Sequence, residues 1–120
     1  MSWQDEIITE IDNISKKESG KLYWNGHETF SKTRMATVFA KCFIVLLPNS
    51  IKSPEVNIDS GDSVDFSWDY DRYKVFSVSI DHKGTMHWAG IYKKEKDYGK
   101  ELWNWKIPDI ILNWIKKVGG

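Results

Sequence analysis

The sequence predicts an α+β fold in two layers: an antiparallel β-meander of four or five strands with helices packed on one face. Three observations carry this reading. From Glu55 to Tyr92, apolar and polar residues alternate in successive runs, each closed by a turn signal. The flanking segments repeat their apolar residues at helical spacing. The length, 120 residues, suits a single domain spanning 1–120. The expected order is α-α-β-β-β-β-(β)-α, because a sheet with one apolar face and helices with apolar stripes bury those surfaces against each other.

The first helix is expected at Ser2–Glu18. Ser2 caps it, Asp5 and Glu6 suit the positive end of the helix dipole, and Trp3, Ile7, Ile11 and Ile14 form one stripe. Lys16 and Lys17 favour its far end and Gly20 stops it. Trp24-Asn25-Gly26 is a turn. A second helix, Ser31 to Leu47, is expected to bury Met35, Val38, Phe39, Cys42, Phe43 and Leu46, with Pro48 ending it.

In the meander, Val56 and Ile58 form the inward side of the first strand. Val64, Phe66 and Trp68 share the core face of the next, and Phe76, Val78 and Ile80 that of the third. Turns are expected at Ser60-Gly61-Asp62, Asp69-Tyr70-Asp71-Arg72 and Asp81-His82-Lys83-Gly84. Met86, Trp88 and Tyr92 line one side of the fourth strand, and His87, Ala89 and Ile91 the other. Lys93–Lys100 reads as a polar loop, and Glu101–Ile107 as an optional fifth strand. Pro108 opens a last helix whose apolar face is Ile110, Ile111, Trp114, Ile115 and Val118.

Charge narrows the function. Seventeen basic and 17 acidic residues cancel, and a nucleic-acid binder needs surplus cations to displace counterions. Only Arg34 and Arg72 are arginines, the residue that phosphate and guanine recognition favours. No direct nucleic-acid contact is expected. The single cysteine, Cys42, excludes an internal disulfide and reads as a core thiol on the second helix. The first residues carry no signal-peptide pattern, and the Cys42–Leu47 apolar run is too short to span a bilayer. The expectation is no membrane partner and a cytoplasmic location in a bacterial host cell.

No catalytic residues, metal ligands or cofactors are expected. No nucleophile elbow, phosphate loop or dinucleotide fingerprint occurs. His82, His87 and Asp81 lie close in sequence but offer too few convergent ligands for zinc.

One cluster stands out. Glu55, Asp59, Asp62, Asp65, Asp69 and Asp71 fall in a stretch without Lys or Arg, leaving eleven of the 17 acidic residues to face all the cations elsewhere. Aspartate is a preferred turn residue, which accounts for several of these. Asp65 lies inside a strand, where that account fails. A one-sided negative field steers a protein toward a basic partner. Ser67, Ser77, Ser79, His87 and Ala89 make a flat second face of small side chains. Trp68, Trp88 and Trp114 fit core positions, and Trp103 and Trp105 are expected to share a face that either covers the core, the favoured reading, or makes an apolar edge patch. Trp3 and Trp24 are candidate exposed anchors.

The segments Trp24-Asn25-Gly26, Val64-Asp65-Phe66-Ser67-Trp68 and Trp88-Ala89-Gly90 resemble a loose group of small, mostly uncharacterised bacterial and phage α+β proteins. Their pattern is a Trp-Asp-Gly or Trp-Asn-Gly turn, a helix, then a meander with a Trp-ended strand. The resemblance covers about Trp24 to Ile91, with Asn25 where an acidic residue is usual. It implies a mobile-element accessory protein of the anti-CRISPR, anti-defence type and transfers no active site. The expected function is a non-catalytic protein-binding module, an inhibitor that blocks a basic nucleic-acid-handling surface of a host defence complex. Its partner would be a larger protein or ribonucleoprotein, met through Asp59, Asp62, Asp65, Asp69, Asp71, Trp24 and Trp3. The alternatives are an antitoxin or immunity protein neutralising a co-encoded toxin, and a small metal-dependent hydrolase or nuclease. A free strand edge near Val56 or Trp103 leaves both monomer and homodimer open.

Overall fold

The structure, a computed structural model, describes residues 3–22, 27–59 and 63–119, with side chains described for 3–13, 35–58 and 63–119. Helices α1 (Trp3–Leu22) and α2 (His27–Leu46) precede strands β1 (Glu55–Asp59), β2 (Ser63–Asp71), β3 (Lys74–Asp81), β4 (Thr85–Tyr92) and β5 (Glu95–Leu102), and helix α3 (Asp109–Gly119) follows. The five strands form one antiparallel sheet in sequence order. This is the two-layer α+β fold that the alternation and the helical spacing predict.

The sheet sorts its residues by parity. Val64, Phe66 and Trp68 of β2, Phe76, Val78 and Ile80 of β3, and Met86 and Trp88 of β4 are buried beneath α2 and α3. Phe66 pairs in register with Val78, and Val78 with Trp88. Aromatic rings tie the layers together: Phe43 of α2 stacks on Phe66 at 5.4 Å, and Trp114 of α3 lies nearly parallel to Phe76 at 6.1 Å. Helix α1 packs on α2 and β1, burying Ile7 and Ile11; Ile14 lies outside the described side chains.

Several expectations need correction. Helix α1 runs through Gly20 to Leu22, and α2 begins at His27 rather than Ser31. The buried side of α2 is Ala36, Ala40, Phe43 and Ile44, continued by Leu47 just past its end, one residue further round than predicted. Met35, Val38 and Leu46 face out, and Phe39 and Cys42 are half-buried. The helix carries apolar residues nearly all round, so periodicity alone does not choose a side. Strand β2 extends through Asp71, and the turn follows it at Arg72-Tyr73.

The largest correction concerns β5. It is the segment Glu95–Leu102, expected as a loop over residues 95–100 and as strand only at Glu101 and Leu102, whereas residues 103–107 leave the sheet. β5 pairs with β4 from Tyr92↔Glu95 to Thr85↔Leu102 across a tight turn in which Lys93 has φ 58°. At a sheet edge, backbone pairing is enough to hold a strand with no apolar alternation. Trp105, at φ 59°, turns the chain away, so Trp103 is half-buried against the core while Trp105 is exposed.

The predicted Asp81–Gly84 turn is present. Gly84 adopts φ 82° and donates its N–H to the Asp81 carbonyl at 3.1 Å. Asp109 opens α3 directly after Pro108, whose carbonyl accepts from the Ile111 and Leu112 amides. Ile111, Trp114, Ile115 and Val118 are buried, while Ile110 sits at the margin, 37% exposed.

Candidate functional site: the open face of the sheet

All helices that contact the sheet cover the side carrying Phe66 and Phe76, so the opposite side is open. By strand parity it presents Glu55 and Asn57 from β1, Ser63, Asp65, Ser67 and Asp69 from β2, Val75, Ser77, Ser79 and Asp81 from β3, and His87, Ala89 and Ile91 from β4. β5 adds Lys96, Tyr98 and Lys100, which pair with Ile91, Ala89 and His87. Its other parity, Glu95, Asp97 and Glu101, points toward the helical side, where Glu95 Oε2 receives Lys117 Nζ of α3 at 2.5 Å. Gly99 sits where a Cβ would lie 2.6 Å from the Trp88 ring.

The face is divided by charge. Glu55, Asp65, Asp69 and Asp81 occupy β1 to β3, and among the described residues no Lys or Arg shares that face until β5. One register row reads Asn57, Asp65, Ser79, His87, Lys100. Asp65 and Lys100 are three strand spacings apart, roughly 14 Å. That exceeds the ~8 Å screening length at physiological salt, so the acidic and basic margins act independently. Between them Ser63, Asp65, Ser67, Ser77, Ser79 and His87 line a shallow depression of about 400 Å³. Its floor is small side chains, which permit close approach by a partner's backbone.

The predicted site residues separate on inspection. Asp65 and Asp69 share the open face of β2, and Asp65 is half-buried between Asn57 and Ser79. Asp71 lies past an irregularity in the β2–β3 register, where its Oδ1 accepts the Tyr73 amide at 2.7 Å; turn chemistry explains it. Asp59 pairs with Ser63 at the end of β1, but its side chain is outside the described residues, as are Asp62 and Trp24. Trp3 does not join the acidic strip. It packs half-buried on the helical layer and donates its indole N–H to the Asn49 carbonyl at 3.0 Å.

Sequence reasoning missed Lys96, Tyr98 and Lys100. The signal was present as strict acid–base alternation in Glu95-Lys96-Asp97 and Lys100-Glu101, a period of two written in charge instead of hydropathy. Asp81, also on the open face, is committed to its turn: Oδ1 accepts the Lys83 and Thr85 amides, each at 2.9 Å. Its Oδ2 lies 3.9 Å from Nε2 of the exposed His87, a loose pair open to water.

Asp65 and Asp69 are four residues apart along one strand, with Cα atoms roughly 13 Å apart, while Asp81 lies diagonally across from Asp65 on the neighbouring strand. Among the described residues no three His, Cys, Asp or Glu side chains group as metal ligands, and no helix is long and apolar enough to cross a membrane. A larger concavity of about 510 Å³ lies elsewhere, between Ser50–Lys52, Tyr70 and the end of α3. No family model, curated protein or solved structure matches this chain.

Proposed function

We propose that the protein is a non-catalytic binding module that docks the acidic margin of its open sheet face, centred on Asp65 and Asp69 with Glu55 beside them, on a basic protein surface. The observation that supports this best is the position of Asp65. Aspartate is disfavoured in strand interiors, and Asp65 sits mid-strand at the edge of a serine-floored depression. Turn formation, which accounts for Asp71 and Asp81, does not account for it. The absence of Lys and Arg from this part of the face, among the described residues, leaves the field uncompensated. In the form suggested by the sequence resemblance, the module is carried by a phage or mobile element. Its carboxylates then stand where nucleic-acid phosphates would, on a host defence ribonucleoprotein in the cytoplasm.

Affinity purification from native cells, with and without nuclease, identifies the partner by mass spectrometry. Glu55→Lys, Asp65→Lys and Asp69→Lys combined should weaken its capture at least about tenfold, a loss of roughly 1.4 kcal/mol. Residual binding should also lose its salt sensitivity. Capture unchanged by the triple reversal would refute this reading.

A further inference from the structure

Among the described residues, the outward side of α2 has no counterpart. Met35, Val38, Cys42 and Val45 repeat at spacings of three, four and three, the a/d rhythm of a coiled-coil seam. Yet this seam faces water: Met35 is 45% exposed, Val38 41% and Val45 60%, with Leu46 beside them at 48%. The only charge between Met35 and Leu46 is Lys41, which is tied to Asp12 of α1. Trp105 extends the strip. Its backbone is left-handed, φ 59°, a conformation that costs a bulky residue about 1 kcal/mol or more. The indole meets Phe39 edge-on at 5.8 Å and still leaves 60% of the residue exposed. Together Trp105, Lys41, Cys42, Val45 and Leu46 wall an apolar groove of about 280 Å³.

We infer that this strip is the interface of a homodimer in which α2 packs antiparallel on α2 of a second copy. The first argument is area. The exposed apolar side chains leave on the order of 500 Å² in water, at the upper end of what a monomer carries. Two such faces, with the polar rim around them, reach the ~1,200 Å² at which specific complexes begin. The second argument is symmetry. About a twofold axis passing level with residue 40, Met35 of one copy stands opposite Val45 of the other, and Val38 opposite Cys42. Each knob thus meets a residue of different shape, as a self-complementary surface requires. Met35 arrives at the groove beside Val45 and Trp105, where a flexible thioether suits an irregular apolar slot. The third argument is charge: among the described residues the strip's one charge, Lys41, is already paired with Asp12, which leaves none to select a charged foreign helix. The open face of the sheet lies on the other layer, so the dimer leaves it uncovered and displays two copies of it.

Sedimentation equilibrium of the full chain, from micromolar to submillimolar concentration, should give a species of twice the 14.0 kDa protomer mass. Val45→Glu should raise the dissociation constant about a hundredfold, because a carboxylate becomes buried on each side of the axis. Ala89→Glu, on the open face, should leave it unchanged. Val38→Cys, which faces the native Cys42 across the axis, should give a covalent dimer on oxidation. An internal bridge between these positions is disfavoured, since Cβ atoms four apart on a helix are ~5–6 Å apart against ~3.8 Å in a disulfide. A monomer at every concentration, or a dimer that Ala89→Glu dissociates and Val45→Glu does not, overturns the inference. So does a Val38→Cys chain that stays monomeric on oxidation. None of these outcomes touches the acidic margin, so the binding reading stands or falls separately.

Discussion

Helices α3 and α2 are both rich in apolar residues, and they use them differently. α3 sorts its residues: Ile111, Trp114, Ile115 and Val118 are buried, and Asn113, Lys116 and Lys117 lie to the other sides. α2 does not. It buries Ala36, Ala40, Phe43 and Ile44 while leaving Met35, Val38, Val45 and Leu46 in water. The same residue types therefore hold the fold together on one helix and, on the outer side of the other, contribute little within a single chain. An apolar stripe accounts for the side of a helix that the sheet covers; the second stripe on α2 is apolar surface that the chain's own sheet does not cover.

The sharpest test of this contrast is a pair of truncations. Trp114→Ala removes a ring stacked on Phe76 and tilted against Trp88 at 6.4 Å, and should cost about 3–5 kcal/mol in denaturant unfolding. Val45→Ala on α2, measured at a concentration that keeps the chain monomeric, should change stability by less than about 0.5 kcal/mol. Equal losses would erase the distinction between the helices.

A smaller effect probes how closely α3 seats on the sheet. Gly90 of β4 lies directly beneath Trp114, and a Cβ there would sit 2.5 Å from the ring. Gly90→Ala should therefore destabilise the protein by about 1–3 kcal/mol through overpacking, read as a lower unfolding midpoint. A neutral result would mean that Trp114 has room to retreat.

The mildest effect is alkaline. Tyr70 of β2 faces the end of α3, with its hydroxyl 2.8 Å from where a Gly119 Cβ would be and the Lys52 ammonium 4.6 Å from its ring. Desolvation raises its pKa above the ordinary 10.0. A folded-state pKa raised above the unfolded one means that its contribution is fully present below pH 10.0 and is lost as pH rises through the folded value. Tyr70→Phe should flatten that part of the stability–pH curve, followed by denaturant titration at several alkaline pH values.

These contrasts explain what could be read from the chain alone. Strands β2, β3 and β4 were legible because one side is buried, so each residue's face is written in hydropathy: Phe66 and Trp68 against Asp65 and Ser67. α3 was legible for the same reason. β5 was not, because at the edge neither side is fully buried, and Glu95-Lys96-Asp97-Tyr98 carries no apolar rhythm. α2 was recognised as a helix but started four residues late and rotated, since a helix apolar on two sides offers two equally good stripes and only the neighbouring layer decides between them. In the candidate site, Asp65 was placed by strand parity, whereas Asp69, expected in a turn, lies inside β2. Lys96 and Lys100, which bound the acidic margin, stayed hidden with the strand that carries them. The separation of Trp3 from the acidic residues was equally invisible, because it depends on which layer α1 joins.

The charge alternation of β5 also bears on what the sheet's bare outer border does in concentrated solution. Were two such borders to zip together head to tail about a twofold axis, residues of the same parity would meet across the seam. Glu95, Asp97 and Glu101 would find acidic groups or Gly99, and Lys96 and Lys100 would find lysine, Tyr98 or Leu102. Like charges set opposite each other repel, so this symmetric pairing of β5 with β5 is opposed. A segment with no apolar signal of its own thereby guards one border of the sheet against pairing with its own copy, while β1 forms the other border.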